Sequence, residues 1–113
     1  MRFPQDVIAA AALISGRVRR TPVERSPVLE GSSGARVWLK LENLQETGSF
    51  KLRGAFHKLL SLDEEARGRG VVAASTGNHG AGVAAAAAAL GVRATIFAPE
   101  TADPSKLAGV RQR

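Results

Sequence analysis

The chain has 113 residues, 44% hydrophobic and 23% charged, which sets the expectation of one folded domain and argues against disorder. The absence of cysteine removes disulfides, thiolate nucleophiles and cysteine-held metals, while a net charge of +6 raises a small basic nucleic-acid-binding module as an alternative. The basic residues are scattered apart from Arg17–Arg20, and four Phe, one Trp and no Tyr offer little to stack on bases, so no nucleic-acid partner is expected.

The N-terminus carries Asp6 ahead of the apolar stretch Val7–Ile14, a poor signal peptide, and no apolar run is long enough to suggest a membrane span. A cytoplasmic location fits. Pro4–Ile14 is expected to be a helix, with Val7, Ile8, Ala11, Ala12 and Leu13 sharing a face and Gly16 stopping it. Thr21 and Ser26 each precede a proline and are held extended. Glu30–Gly34 is expected to be a loop. Arg36–Leu41 alternates and contains Val37 and Trp38, the pattern of a strand with Trp38 in the core.

A helix is expected from Phe50 to Leu60 with Ser49 as N-cap, then a short helix through Ala66 opened by a Ser61/Glu64 capping box. Gly70–Ser75 is expected to be a short buried strand. Asn78–Leu90 is expected to be a helix capped by Asn78 and stopped by Gly91, its alanines allowing close packing on a sheet. Val92–Ala98 is a further strand, and Asp103-Pro104 opens a last helix toward Arg113. Helix and strand alternate from Phe50 onward. That order implies an α/β fold, a parallel sheet with flanking helices. The last helix has no closing signal, which suggests a chain cut short.

Two short stretches carry chemistry. In Glu46-Thr-Gly-Ser-Phe-Lys51, small polar residues and Phe50 surround one lysine at a helix start. A lysine amine becomes a nucleophile when burial lowers its pKa, and small neighbours leave room for a bound ring. The bland reading is a solvated lysine in a first turn. Ser75-Thr-Gly-Asn-His-Gly80 lies between a strand end and a helix start, where open α/β sheets bind ligands. Amides at the helix N-terminus favour an anion such as a carboxylate or phosphate. The bland reading is an ordinary capped turn. Lys40 and Glu42 share a face after the strand, as an ion pair or a solvated edge. His57 and His79 fall in no metal-ligand spacing, so no metal site is expected.

Together, KLENLQETGSFKLRGA (Lys40–Ala55) and ASTGNHGAGVA (Ala74–Ala84) resemble the pyridoxal-phosphate enzymes of fold type II, in particular threonine/serine dehydratases and serine racemase. RTPVERSP near the N-terminus and GVRATIFAPETADPSKLAGVR after the second helix support the likeness. The resemblance implies pyridoxal 5'-phosphate as cofactor and Lys51 as the catalytic lysine that forms a Schiff base with it. It implies Phe50 packing beside the cofactor ring and Asn78 bonding its phenolic oxygen. Ser75, Thr76, Gly77, Asn78 and His79 fall in the loop that grips the substrate carboxylate. The implied reaction is dehydration and deamination of serine or threonine to a 2-oxo acid and ammonia, with a small amino acid as substrate and a homo-oligomer at full length. Racemase and threonine synthase activities use the same residues. Racemases of this group carry a serine acid/base where this chain has Thr76, which disfavours racemisation. The resemblance covers only an N-terminal portion: residues 1–50 as a piece of the larger cofactor domain and 51–113 as an incomplete smaller α/β domain. The phosphate-binding loop and the pyridine-nitrogen partner of the family lie beyond Arg113, so this piece alone is expected to bind the cofactor weakly and not to turn over serine or threonine.

Overall fold

The computed structural model describes residues 3–102 and Ala108. The helix expected from Asp103 therefore lies, Ala108 aside, outside the described residues. In chain order the elements are α1 (Phe3–Leu13), β1 (Val23–Arg25), α2 (Pro27–Ser33), β2 (Trp38–Lys40), a 3-10 turn (Glu42–Leu44), α3 (Lys51–Leu60), α4 (Glu64–Arg69), β3 (Val71–Ala74), α5 (Asn78–Leu90) and β4 (Ala94–Phe97).

The strands form two separate pairs. β1 and β2 are antiparallel, with Val23 opposite Lys40 and Arg25 opposite Trp38. β3 and β4 are parallel, with Val71 opposite Ala94 and Ala74 opposite Phe97, and α5 connects them. A parallel pair needs such a crossover because a tight turn cannot return the chain to the same end. The parallel pairing and helical crossover follow the alternation in the sequence.

The core sits between α3, α5 and the inner face of β3–β4. Leu52, Ala55, Phe56 and Leu59 recur along one face of α3 and are buried, Leu52 completely. They meet Val83, Ala86 and Ala87 of α5, with Val71, Ala73, Ala94 and Ile96 packed beneath. Alanine and glycine on α5 keep the two helices close: a Cβ on Gly82 would stand 3.1 Å from the Lys51 carbonyl carbon. Each buried large apolar side chain contributes roughly 1.5–3 kcal/mol. The alanine-rich helix thus packs on α3 as well as on the sheet.

Several expectations are corrected. Trp38 is exposed, because the β1–β2 ribbon has no layer over it among the described residues. β3 is not buried on both faces: Val72 points outward and is largely exposed, as is Phe97 of β4, so both strands alternate. The apolar face of α1 buries none of its residues, and Ile14 just after it enters the core instead. The expected loop at Glu30–Gly34 belongs mostly to α2, which starts at Pro27 after extended Ser26. Proline suits a first helical position because its missing N–H has no intrahelical partner there. Glu30 then reaches Arg25 at 2.7 and 2.8 Å and the Val37 amide at 3.1 Å, tying α2 to both flanks of the ribbon.

The caps also shift by one or two residues. Asp63, not Ser61, caps α4 by accepting from the Ala66 amide at 2.7 Å, and α4 continues to Arg69. Ser61 instead donates to the His57 carbonyl at 2.7 Å. Carboxylate acceptors outdo a hydroxyl that is already engaged by the previous helix. Phe50 and Gly77 occupy the cap positions of α3 and α5, one residue away from the expected Ser49 and Asn78.

Candidate cofactor and substrate site

The segment leading to Lys51 is folded by its own polar side chains. Gln45 bonds the backbone of Arg19 in both directions, at 2.9 and 3.0 Å, and is almost wholly buried. The Gly48 amide donates to the Gln45 carbonyl at 2.8 Å, and Gly48 takes φ +70°, which favours glycine and turns the chain into α3. Ser49 Oγ then accepts from the Lys51 amide at 3.3 Å. The serine thus supports the first turn although Phe50 is the formal cap.

Lys51 emerges at the first residue of α3, with its side chain exposed and Nζ 4.9 Å from the centre of the Phe50 ring. Phe50 is exposed as well. The apolar enclosure expected around the lysine is therefore absent among the described residues. What surrounds Lys51 is an open cavity of about 610 Å³, lined by Phe50, Lys51, Gly54, Val72, His79 and Val83 among others, with Lys58 and Arg69 further along. That size suits a small organic ligand.

The turn after β3 approaches the same cavity. Ser75 Oγ accepts from the Gly77 amide at 3.3 Å and the Gly80 amide at 3.0 Å, closing the strand-to-helix turn. Gly80 is buried, and a Cβ there would meet Ile96 and the Ser75 carbonyl at 3.3 Å. Asn78 and His79 are exposed in the first turn of α5, whose amides have no partner inside the helix. His79 lines the cavity with Phe50 and Lys51. Ser75, Thr76, Gly77 and Asn78 stand next to it in the chain but are not among the lining residues. The structure thus brings Phe50, Lys51 and His79 together and leaves the rest of the turn at their margin.

Two residues beyond Lys51, Arg53 joins a polar cluster that the sequence did not announce. Arg53 grips Glu42 with two bonds, Nε to Oε2 at 2.9 Å and Nη2 to Oε1 at 2.8 Å, and also donates to the Arg19 carbonyl at 3.0 Å. The buried Thr21 hydroxyl donates to Glu42 Oε1. Lys40 Nζ lies 3.9 Å from that carboxylate and donates to the Thr21 carbonyl. The expected Lys40–Glu42 ion pair is thus the minor contact, and Arg53 is the main partner. The Arg53 hydrogen bonds hold the Glu42 carboxyl down to about 2, against the opposing effect of burial, with help from the Thr21 hydroxyl and the charges of Arg53 and Lys40. Only the two-residue spacing of Lys40 and Glu42 hinted at this site. Nothing in the sequence linked Arg53 to it.

Residues 14–112 match the sequence profile of the family described as pyridoxal-phosphate dependent enzyme. The chain belongs to that family. Pyridoxal phosphate is accordingly the cofactor of this family, and the residues fit it: a primary amine and a histidine share a ligand-sized cavity, the histidine standing in the first turn of α5. The chain is 50% identical over 107 residues to an L-threo-3-hydroxyaspartate ammonia-lyase of Pseudomonas sp, covering 95% of this chain and 34% of that protein. It is 49% identical over 107 residues to an L-threonine ammonia-lyase of Thermotoga maritima, covering 95% and 27% respectively. The solved structure of maize serine racemase superposes with a TM-score of 0.89 at 39% identity, covering 96% of this chain and 33% of that one. The fold is therefore part of the fold type II architecture, and the chain spans about a third of the length of these relatives. Among the described residues no cluster of His, Asp and Glu is arranged to hold a metal, and no helix is long and apolar enough to cross a membrane.

Proposed function

We propose that this chain is the lysine-bearing part of a pyridoxal-phosphate-dependent β-eliminating lyase that converts serine or threonine to a 2-oxo acid and ammonia. The observation that carries the reading is the meeting of Lys51 and His79 in one cavity, with the capped 75–80 turn at its margin. The two ammonia-lyases quoted above are named for substrates that share a β-hydroxyl on an α-amino acid, which supports this substrate class.

In this reading Lys51 Nζ would be the attachment point for the cofactor's aldehyde carbon, with Phe50 beside its ring and Asn78 bonding its phenolic oxygen. The cofactor, when bound, supplies an electron sink for the substrate's α-carbon. With substrate bound, Lys51 Nζ would take the α-proton as a base. Ser75, Thr76, Gly77, Asn78 and His79 receive the substrate carboxylate, where the first-turn amides of α5 favour negative charge. Fixing the carboxylate orients the α C–H bond toward Lys51. The net reaction would remove the β-hydroxyl as water and, with one water consumed, release the 2-oxo acid and ammonia. We further infer that residues 1–50 belong to a larger cofactor domain and 51–113 to a smaller one. The division of the strands into two unconnected pairs supports that boundary.

Racemisation is the second reading, favoured by the likeness to serine racemase. Thr76 in place of a serine acid/base weighs against it. The test is spectroscopic. Added pyridoxal phosphate should produce an absorbance band near the visible edge that Lys51→Ala abolishes. An equal band in the variant overturns the reading, and salt-dependent RNA binding without any band favours the basic-module alternative.

A further inference from the structure

We propose that the Glu42–Arg53 pair positions Lys51, a role that rests on the reading of Lys51 as the cofactor lysine. Arg53 follows Lys51 by two residues in the first turn of α3. Its guanidinium is fastened to Glu42 by two bonds and to the Arg19 carbonyl by a third, at 2.8–3.0 Å. Glu42 in turn is held by the buried hydroxyl of Thr21. Gln45, three residues later, is bonded both ways to the backbone of Arg19. The first turn of α3 is therefore joined to residues 19–21 and to residues 42–45, two segments that lie before it in the chain.

Three other contacts hold the same turn. Leu52 is completely buried, Ser49 Oγ accepts from the Lys51 amide, and Gly82 stands close against the Lys51 backbone. The base of the lysine is thus fixed from several sides while its side chain stays exposed. Covalent capture by a long side chain depends on where its stem starts, and misplacement by about 1 Å can cost on the order of a hundredfold in rate. Bidentate pairing restrains rotation of the turn as a single ammonium contact cannot. Arg53 and Glu42 are not among the residues lining the cavity, so they act through Lys51.

The test compares the protein with Glu42→Gln and Arg53→Lys. Each is treated with pyridoxal phosphate and borohydride, and labelling rates at Lys51 and Lys58 are followed by mass spectrometry. Lys58 lines the same cavity about two turns along α3 and serves as the internal control. Folding is checked by circular dichroism at the assay temperature. The account expects Lys51 labelling to fall about tenfold in both variants with Lys58 labelling unchanged. Wild-type Lys51 labelling in either folded variant overturns the positioning role, as does an equal fall at both lysines, which marks general loosening. Should Glu42→Gln and Arg53→Lys fail to fold, Glu42→Asp keeps the charge but draws the carboxylate back from Arg53 and loosens the two-bond grip. It is expected to slow Lys51 labelling severalfold, and no change overturns the proposal. A wild-type protein that shows no preference for Lys51 sinks the functional reading itself, independently of the variants.

Discussion

The backbone of Gly82 in α5 lies against that of Lys51 in α3, so that an added Cβ would come within 3.1–3.3 Å of the Lys51 carbonyl group and the Leu52 amide nitrogen. Backbone cannot swing aside as a flexible side chain does. Gly82→Val is therefore expected to destabilise the protein by about 1–3 kcal/mol, the usual cost of overpacking. Gly68 in α4 has nothing within 4 Å of the corresponding point. Gly68→Ala is expected to stabilise by roughly 0.5–1 kcal/mol through helix propensity alone. Denaturant midpoints of the two variants test both signs together.

Glu42 sets an acid limit. Its folded pKa lies near 2, below the ordinary carboxylate value of 4.5, so the folded state binds its proton less readily than the unfolded chain does. Its stabilisation is fully present above pH 4.5 and is lost as pH falls from 4.5 through about 2. At about 1.4 kcal/mol per pKa unit, the loss is about 3 kcal/mol at most. Glu42→Gln should flatten the stability profile across that window. Urea midpoints measured in steps through that acid range check this, and an unchanged slope in Glu42→Gln contradicts it.

Asp63 carries the cap of α4 through one bond to the Ala66 amide. Asp63→Ala is expected to cost about 1 kcal/mol, whereas Ser61→Ala should not unseat α4. Thermal melts of the pair distinguish the observed cap from the one the sequence suggested.

The sequence was most legible where local rules and packing agree. α3 shows its buried face at helical spacing, α5 ends at Gly91, and the alternation of β3, α5 and β4 implies a parallel pair. It was least legible where the outcome depends on what packs over an element. Trp38 read as a core residue, yet it is largely exposed. Caps were misplaced because Ser61 and Asp63 compete within two residues, a contest decided by geometry. Around the site, Lys51 and the 75–80 turn stood out as motifs. The Thr21–Glu42–Arg53 cluster did not, because its members are up to 32 residues apart and carry no spacing rule.

The central claim is that pyridoxal phosphate is held covalently by one lysine. It is tested most directly by reducing the protein with borohydride in the presence of pyridoxal phosphate and locating the pyridoxyl group by peptide mass spectrometry. The account predicts the label on Lys51 ahead of Lys40 and Lys58. A label spread evenly over those lysines, or concentrated on one other than Lys51, contradicts it.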